Sequence, residues 1–342
     1  MYSEQTKNVA QDDALPNNDS LTAVSGLSVG HWTDSESPTG CTVVICPPEG
    51  AVASGDVRGG APGTRNTDLL RPGHLVERVH AILLTGGSEF GHEAAAGVVR
   101  WLREKGHGFP YPTGTLPVVC GAVIFDRSIG DPERWPGAEG GYAACQSASA
   151  GPVEEGSVGS GAGATVAKAR GIERALKGGI GSAVERTASG IVVGALVTVN
   201  CWGEIVDPDT GQVIAGPRGE KPGTFESTIE AMREAPPLSP FLAAAENTTL
   251  GVVATDAVLT KENAYRLAIM AQAGLARTIR PAHSPVDGDT IFTLATGTND
   301  SPTDLLQLGT LAGRAVERAI VRAVVTATRV AGIPSAREWM DG

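Results

Sequence analysis

Short apolar runs of β type, separated by turn residues, dominate the first part of the chain: CTVVIC, GAVASGDV and VHAILLTGG. Their brevity and flanking glycines predict strands. Over 91–105 the pattern changes. Ala94, Val98 and Leu102 recur four apart, which predicts one face of a helix. PVVCGAVIFD then reads as a buried strand and 138–150 as a short helix of small residues. IVVGALVTVN is a further strand, ending at Asn200. A polar, Pro/Gly-rich stretch with a short helical piece fills 207–246; connections of that length are uncommon and often functional.

After it comes TTLGVVATDA, a strand of β-branched and apolar residues. A helix follows, with Thr260 as its N-cap and Ala264, Leu267, Ala268, Ala271 and Leu275 as its apolar stripe. DTIFTLATG predicts another strand and Leu305–Val330 a long amphipathic helix. Residues 1–20 are polar and aperiodic, and read as a disordered leader before one domain over 21–342. Strands with helices set outside them suggest two sheets between helical layers. The pattern alone reaches no further than α/β or α+β.

Composition narrows the function. Hydrophobic residues make up 41% of 342 residues, enough for a sizeable core, while aromatics at 4% suggest a substrate pocket lined by small aliphatic groups. The net charge of −11, with no basic run, argues against nucleic acid as a partner. No apolar run is long enough to span a membrane and no secretory signal opens the chain, so a cytoplasmic enzyme is expected. The five cysteines form no C-x-x-C pair and read as small buried hydrophobes. The histidines show no H-E-x-x-H pattern, and neither metal nor organic cofactor is expected. The segment GSVGSGAGATVAK lacks the G-K-[ST] ending of a phosphate loop and reads as a tight turn.

Three places could carry chemistry. Asn247-Thr248-Thr249 lies between the long loop and a buried strand. Were the bond before Thr248 to break, one residue would carry both a hydroxyl and a free α-amine able to take its proton. The same tripeptide also fits a glycosylation sequon or an Asx turn. Asp287 and Asp289 flank a glycine before a strand, where two carboxylates can orient an amine or simply solvate a turn. His283, close by, reads as a loop or structural histidine and not as a base. Asn200, at a strand end, can donate to an oxyanion or form a turn.

Taken in order, LLTGGSEFG, GAVIFD, GAGATVAK, LKGGIGSA, VNCWGEIVDPDTG, NTTLGVVATDA, GLARTIRPAHSPVDGDTIFTLATG and AGIPS resemble one family. It is that of the L-aminopeptidase/D-esterases and β-peptidyl aminopeptidases, which includes the nylon-oligomer endohydrolases. The resemblance spans roughly 21–335. It implies a four-layer αββα fold of the N-terminal-nucleophile type. It also implies a precursor that cuts itself between Asn247 and Thr248 into chains 1–247 and 248–342, which stay together in a tetramer of pairs. By motif, Thr248 matches the nucleophile, Asn200 the oxyanion-stabilising amide, and Asp287 and Asp289 the pair that orients the new N-terminus. Lys168 matches a lysine supporting the nucleophile, with Lys177 of LKGGIGSA a rival for that role. Phe125 stands where nylon-oligomer members carry a pocket tyrosine, which weakens a nylon-specific reading. The implied activity is hydrolysis of small peptides, β-peptides or amide oligomers. An acyltransferase of ornithine-acetyltransferase type and an uncleaved, non-catalytic scaffold are the alternatives.

Overall fold

The computed structural model describes residues 18–234 and 247–342. Of the leader expected over 1–20, residues 1–17 lie outside these, while Asp19 is tied to Arg318 and Arg322 at 2.8 and 2.9 Å and Ser20 is buried. Residues 235–246 of the expected loop also lie outside. Within 207–234 the chain forms a strand over Val213–Ala215 and a helix over Thr228–Glu234, so that part of the loop is structured.

Two sheets carry the fold. The strands are β1 (Ser28–Thr33), β2 (Gly40–Ile45), β3 (Ala51–Val57), β4 (Thr64–Arg65), β5 (Arg78–Val79) and β6 (Ala81–Thr85). They continue with β7 (Val119–Val123), β8 (Gly179–Arg186), β9 (Val192–Asn200), β10 (Thr248–Ala257) and β11 (Thr290–Asn299). One sheet has the order β1-β2-β6-β7-β4 and the other β8-β9-β10-β11-β3-β5. Four helices cover the outer faces: α1 (Ala94–Glu104), α2 (Ala138–Gln146), α3 (Lys261–Thr278) and α4 (Leu305–Val325).

Alternation along the strands assigns each residue to a layer, because successive side chains point to opposite faces. Val44, Ile82, Leu84 and Ala122 meet Leu196, Leu250, Val252 and Phe292 between the sheets. Their neighbours Val43, Leu83 and Val119 face outward onto Ala94, Val98 and Leu102 of α1. On the far side Val193, Ala195, Val197 and Ile291 pack against Leu267, Ala271 and Leu275 of α3 and Ala312, Val316 and Ile320 of α4. The layers therefore run helix, sheet, sheet, helix. The five cysteines are buried free thiols distributed over these three cores.

Local chemistry explains several boundaries. Thr260 caps α3 by accepting from Asn263 N at 3.2 Å. Gly181 lets α4 lie on β8, since a Cβ there would sit 2.2 Å from Ala319 O. All ten residues of β10 are buried, as a central strand covered on both faces requires. Two expectations shift. The helix expected from 91 begins as a 3₁₀ turn over Ser88–Glu93, and the last helix ends at Val325 rather than 330.

Strands β10 and β11 lie between β9 and β3, so the segment after 247 is threaded into a sheet whose flanks come from before it. Ion pairs repeat this across α4. Arg314 meets Asp209 at 2.6 Å and Arg322 meets Glu155 at 2.7 Å, beside the Asp19 contacts.

Candidate active site

The site gathers where three strand ends meet. β9 runs antiparallel to β10 and places Asn200 opposite Thr248. β10 and β11 are parallel, with Leu250 opposite Thr290. Parallel partners begin at the same edge, so the turn leading into β11 arrives beside the first residue of β10. That turn is Asp287-Gly288-Asp289. Asn247 pairs with Asp287 in a parallel bridge just ahead of the strands.

The turn is clamped from below by the segment after β3. Arg58 N and Gly59 N donate to Asp289 O at 2.9 and 3.2 Å, and Ala61 N donates to Asp287 O at 2.9 Å. The approach is so close that a Cβ on Gly59 would lie 2.2 Å from Asp287 O. On the other side, a Cβ on Gly288 would lie 2.6 Å from Thr248 Oγ1.

Around the Asn247–Thr248 peptide, two donors converge on one oxygen. Thr248 Oγ1 donates to Asn247 O, and Gly288 N donates to the same oxygen at 3.1 Å. Asn247, Thr248, Asn200, Asp287 and Asp289 are all at most 5% exposed. Asp289 Oδ1 accepts from Thr249 N at 2.9 Å, and its Oδ2 accepts from His283 N at 2.8 Å and contacts His283 Nδ1 at 3.1 Å. Asp287 Oδ1 accepts from Trp202 N at 3.2 Å, and its Oδ2 accepts from the Ser284 hydroxyl. Burial, reinforced by the neighbouring Asp289 carboxylate, pushes the Asp287 carboxyl up to about 6. Ser284, Trp202 N–H and Lys168 oppose that rise.

Asn200 is held in a defined orientation. Its Oδ1 accepts from Thr165 N at 2.9 Å and lies 3.2 Å from Lys168 Nζ, which also donates to Asn200 O at 3.2 Å. Its Nδ2 donates to Phe125 O at 2.9 Å. Donors on Oδ1 and an acceptor on Nδ2 fix which end of the amide is which. Phe125 thus meets the site through its backbone carbonyl.

The two lysines, rivals in the sequence, occupy different places. Lys168 touches Asn200. Lys177, fully buried, donates to Ala162 O at 2.9 Å and Ala164 O at 2.6 Å. Sequence reasoning passed over Thr165, Ser284 and the backbone donor of Gly288. His283, read as a loop or structural histidine, rests its ring on Asp289.

The family model described as Peptidase family S58 matches residues 19–337. The chain belongs to peptidase family S58. Among S58 relatives, an uncharacterised aminopeptidase of Mycobacterium tuberculosis is 41% identical over 94% of this chain and 98% of its own length. A 6-aminohexanoate-oligomer endohydrolase of Paenarthrobacter ureafaciens is 33% identical over 81% of this chain and 75% of its own. A solved β-aminopeptidase of Burkholderia sp. superposes with a TM-score of 0.66 at 24% identity, covering 96% of this chain and 94% of that one. The S58 chain is accordingly a hydrolase of amide bonds with the N-terminal-nucleophile hydrolase fold. Among its described residues no helix is long and apolar enough to cross a membrane.

Proposed function

We propose that this S58 hydrolase cuts its own chain between Asn247 and Thr248 and then uses Thr248 as an N-terminal nucleophile on small peptides or oligoamides. The observation that carries the proposal is the Asn247 carbonyl. Its oxygen takes both the Thr248 hydroxyl and Gly288 N–H, at the first residue of a fully buried strand.

In the first stage Thr248 Oγ1 adds to the Asn247 carbonyl carbon. Gly288 N–H supports the negative oxygen. The C–N bond breaks, the hydroxyl proton passes to the departing nitrogen, and Asn247 is left as an ester on Thr248. Water hydrolyses that ester, giving an Asn247 carboxylate and a free Thr248 amine and hydroxyl. In the second stage the amine takes the proton of Oγ1 as it attacks a substrate amide. An unperturbed α-amine has a pKa of about 7.7–8.0 and is partly basic near neutrality. Asp287 and Asp289 hold the amine, Lys168 supports the nucleophile, and Asn200 donates through Nδ2 to the oxyanion. Water then releases the acyl group. The amide substrates named for the relatives, peptides and 6-aminohexanoate oligomers, support this substrate class.

Edman sequencing of the small fragment should read TTLGVV, and Thr248→Ala should remain one band on a denaturing gel and lose turnover. A different start, or full activity in the alanine variant, overturns the proposal. A panel of aminoacyl anilides and 6-aminohexanoate oligomers then ranks substrates. Competing amines added to the assay expose any acyl transfer.

A further inference from the structure

We infer that Lys177 is a positioning residue that orients and strengthens Asn200 as a donor, acting through the Ala164–Thr165 peptide group. The inference rests on the reading of Asn200 as the oxyanion donor for Thr248.

A fully buried lysine is costly to keep. Desolvation pulls its pKa down to about 7, with Asp126 pulling it back up and Lys168 lowering it further. Asp126 is itself buried, accepting from Gly87 N at 2.7 Å and Thr39 Oγ1 at 2.8 Å. An apolar side chain of similar length would fill the same space without that penalty. The position at which the ammonium is directed therefore matters.

It is directed at a loop made of Gly161, Ala162, Gly163 and Ala164, which has no polar side chain of its own with which to anchor. The loop is pressed in, since a Cβ on Gly163 would lie 2.2 Å from Pro38 O and 2.5 Å from Asp126 Cβ. Lys177 Nζ holds it by the carbonyls of Ala162 and Ala164, with Gly161 O at 3.5 Å.

The last of these carbonyls is half of a relay. The peptide joining Ala164 to Thr165 accepts from Lys177 on its oxygen, and its N–H donates to Asn200 Oδ1 at 2.9 Å. A peptide group is planar and conjugated, so a cation on its oxygen makes its N–H a stronger donor. The same polarisation then passes through the Asn200 amide, whose Oδ1 is loaded and whose Nδ2–H becomes the stronger donor. Lys168 loads Oδ1 directly and Lys177 loads it at one remove. The two lysines thus act on the same amide from different distances.

A plain structural staple would also hold the loop, and a double-mutant cycle separates the two roles. On a chromogenic amide substrate, Lys177→Met should lower kcat by about 10–100-fold, as loss of part of an oxyanion contact does, with KM within threefold. In an Asn200→Ala background the same substitution should cost less than threefold, because the group it acts through is gone. Each variant is incubated until a denaturing gel shows the chain fully cleaved, and kcat is read only then. An equal loss in both backgrounds, or no loss in the single variant, overturns the inference. If Lys177→Met does not fold, Lys177→Gln keeps a donor, removes the charge, and is judged by the same two outcomes. Thr248→Ala is run alongside. Turnover surviving in it would sink the nucleophile assignment itself, a failure distinct from that of the Lys177 relay.

Discussion

Asp287 should be a residue that weakens the fold at neutral pH, so that Asp287→Asn makes the protein more stable there while slowing it. Its carboxyl is 1% exposed and sits at about 6, against an ordinary value of 3.8. Burial is the leading cause and Asp289 the next. Two units at 1.36 kcal/mol each correspond to about 3 kcal/mol of folding free energy. The sign follows from the raised value. Below about pH 4 the carboxyl is protonated in both folded and unfolded chains and its favourable contribution is complete. As pH rises through 6 the folded chain must ionise a buried group, and that contribution is lost. Asparagine is neutral throughout and escapes the loss. Its Oδ1 can still accept from Trp202 N–H and its Nδ2 can donate to the Ser284 hydroxyl, so both contacts survive with the direction of one reversed. The net expectation is a variant about 2–3 kcal/mol more stable at pH 8 and within about 1 kcal/mol of its parent near pH 4. Urea unfolding followed by tryptophan fluorescence measures this. Both proteins should carry Thr248→Ala so that the chain stays in one piece. A variant destabilised equally at both pH values would refute the reasoning and make Asp287 an ordinary buried acceptor.

Two further outcomes follow from the same geometry. Gly288→Ala brings a methyl to 2.6 Å from Thr248 Oγ1 and 2.9 Å from Ala61 O. Chain cleavage should slow at least about tenfold, read as a gel time course, while circular dichroism stays unchanged; cleavage at the normal rate would show that the hydroxyl does not work from this position. Asn200→Ala removes the proposed oxyanion donor and should lower kcat by about 10²–10³-fold with little change in KM. A loss confined to KM would make Asn200 a binding residue.

Much of the site can be read along the chain because its parts sit at strand ends, and strand ends are marked by pattern. The switch from polar loop to TTLGVVATDA puts Thr248 at the head of β10, and IVVGALVTVN stops at Asn200, where β9 stops. Thr260 announces α3 because a cap is a contact three residues long. What pattern does not carry is register between distant segments. Nothing in HSPVDGDTIF states that its strand runs parallel to β10, yet that pairing alone brings Asp287, Gly288 and Asp289 to Thr248. Backbone contacts are also silent. The Thr165 N–H on Asn200 and the Gly288 N–H on Asn247 involve groups that every residue but proline possesses. The two lysines look alike as letters, and only their three-dimensional neighbours give one to Asn200 and the other to the glycine loop.

The threading of β10 and β11 between β9 and β3 has a consequence for how the molecule is made. Neither 1–247 nor 248–342 holds a continuous version of the second sheet, because the middle strands belong to one and the flanks to the other. While Asn247 and Thr248 are joined, the tether keeps the second segment at a local concentration on the order of millimolar around its slot. After the proposed cut, the same search is a meeting of two molecules at whatever dilution the solution imposes. The uncut chain should therefore refold from urea at any concentration, whereas the cut enzyme should recover poorly and in proportion to its concentration. The peptide bond at 247–248 would then serve assembly alone, and its loss would turn a reversible fold into one that is reached only once.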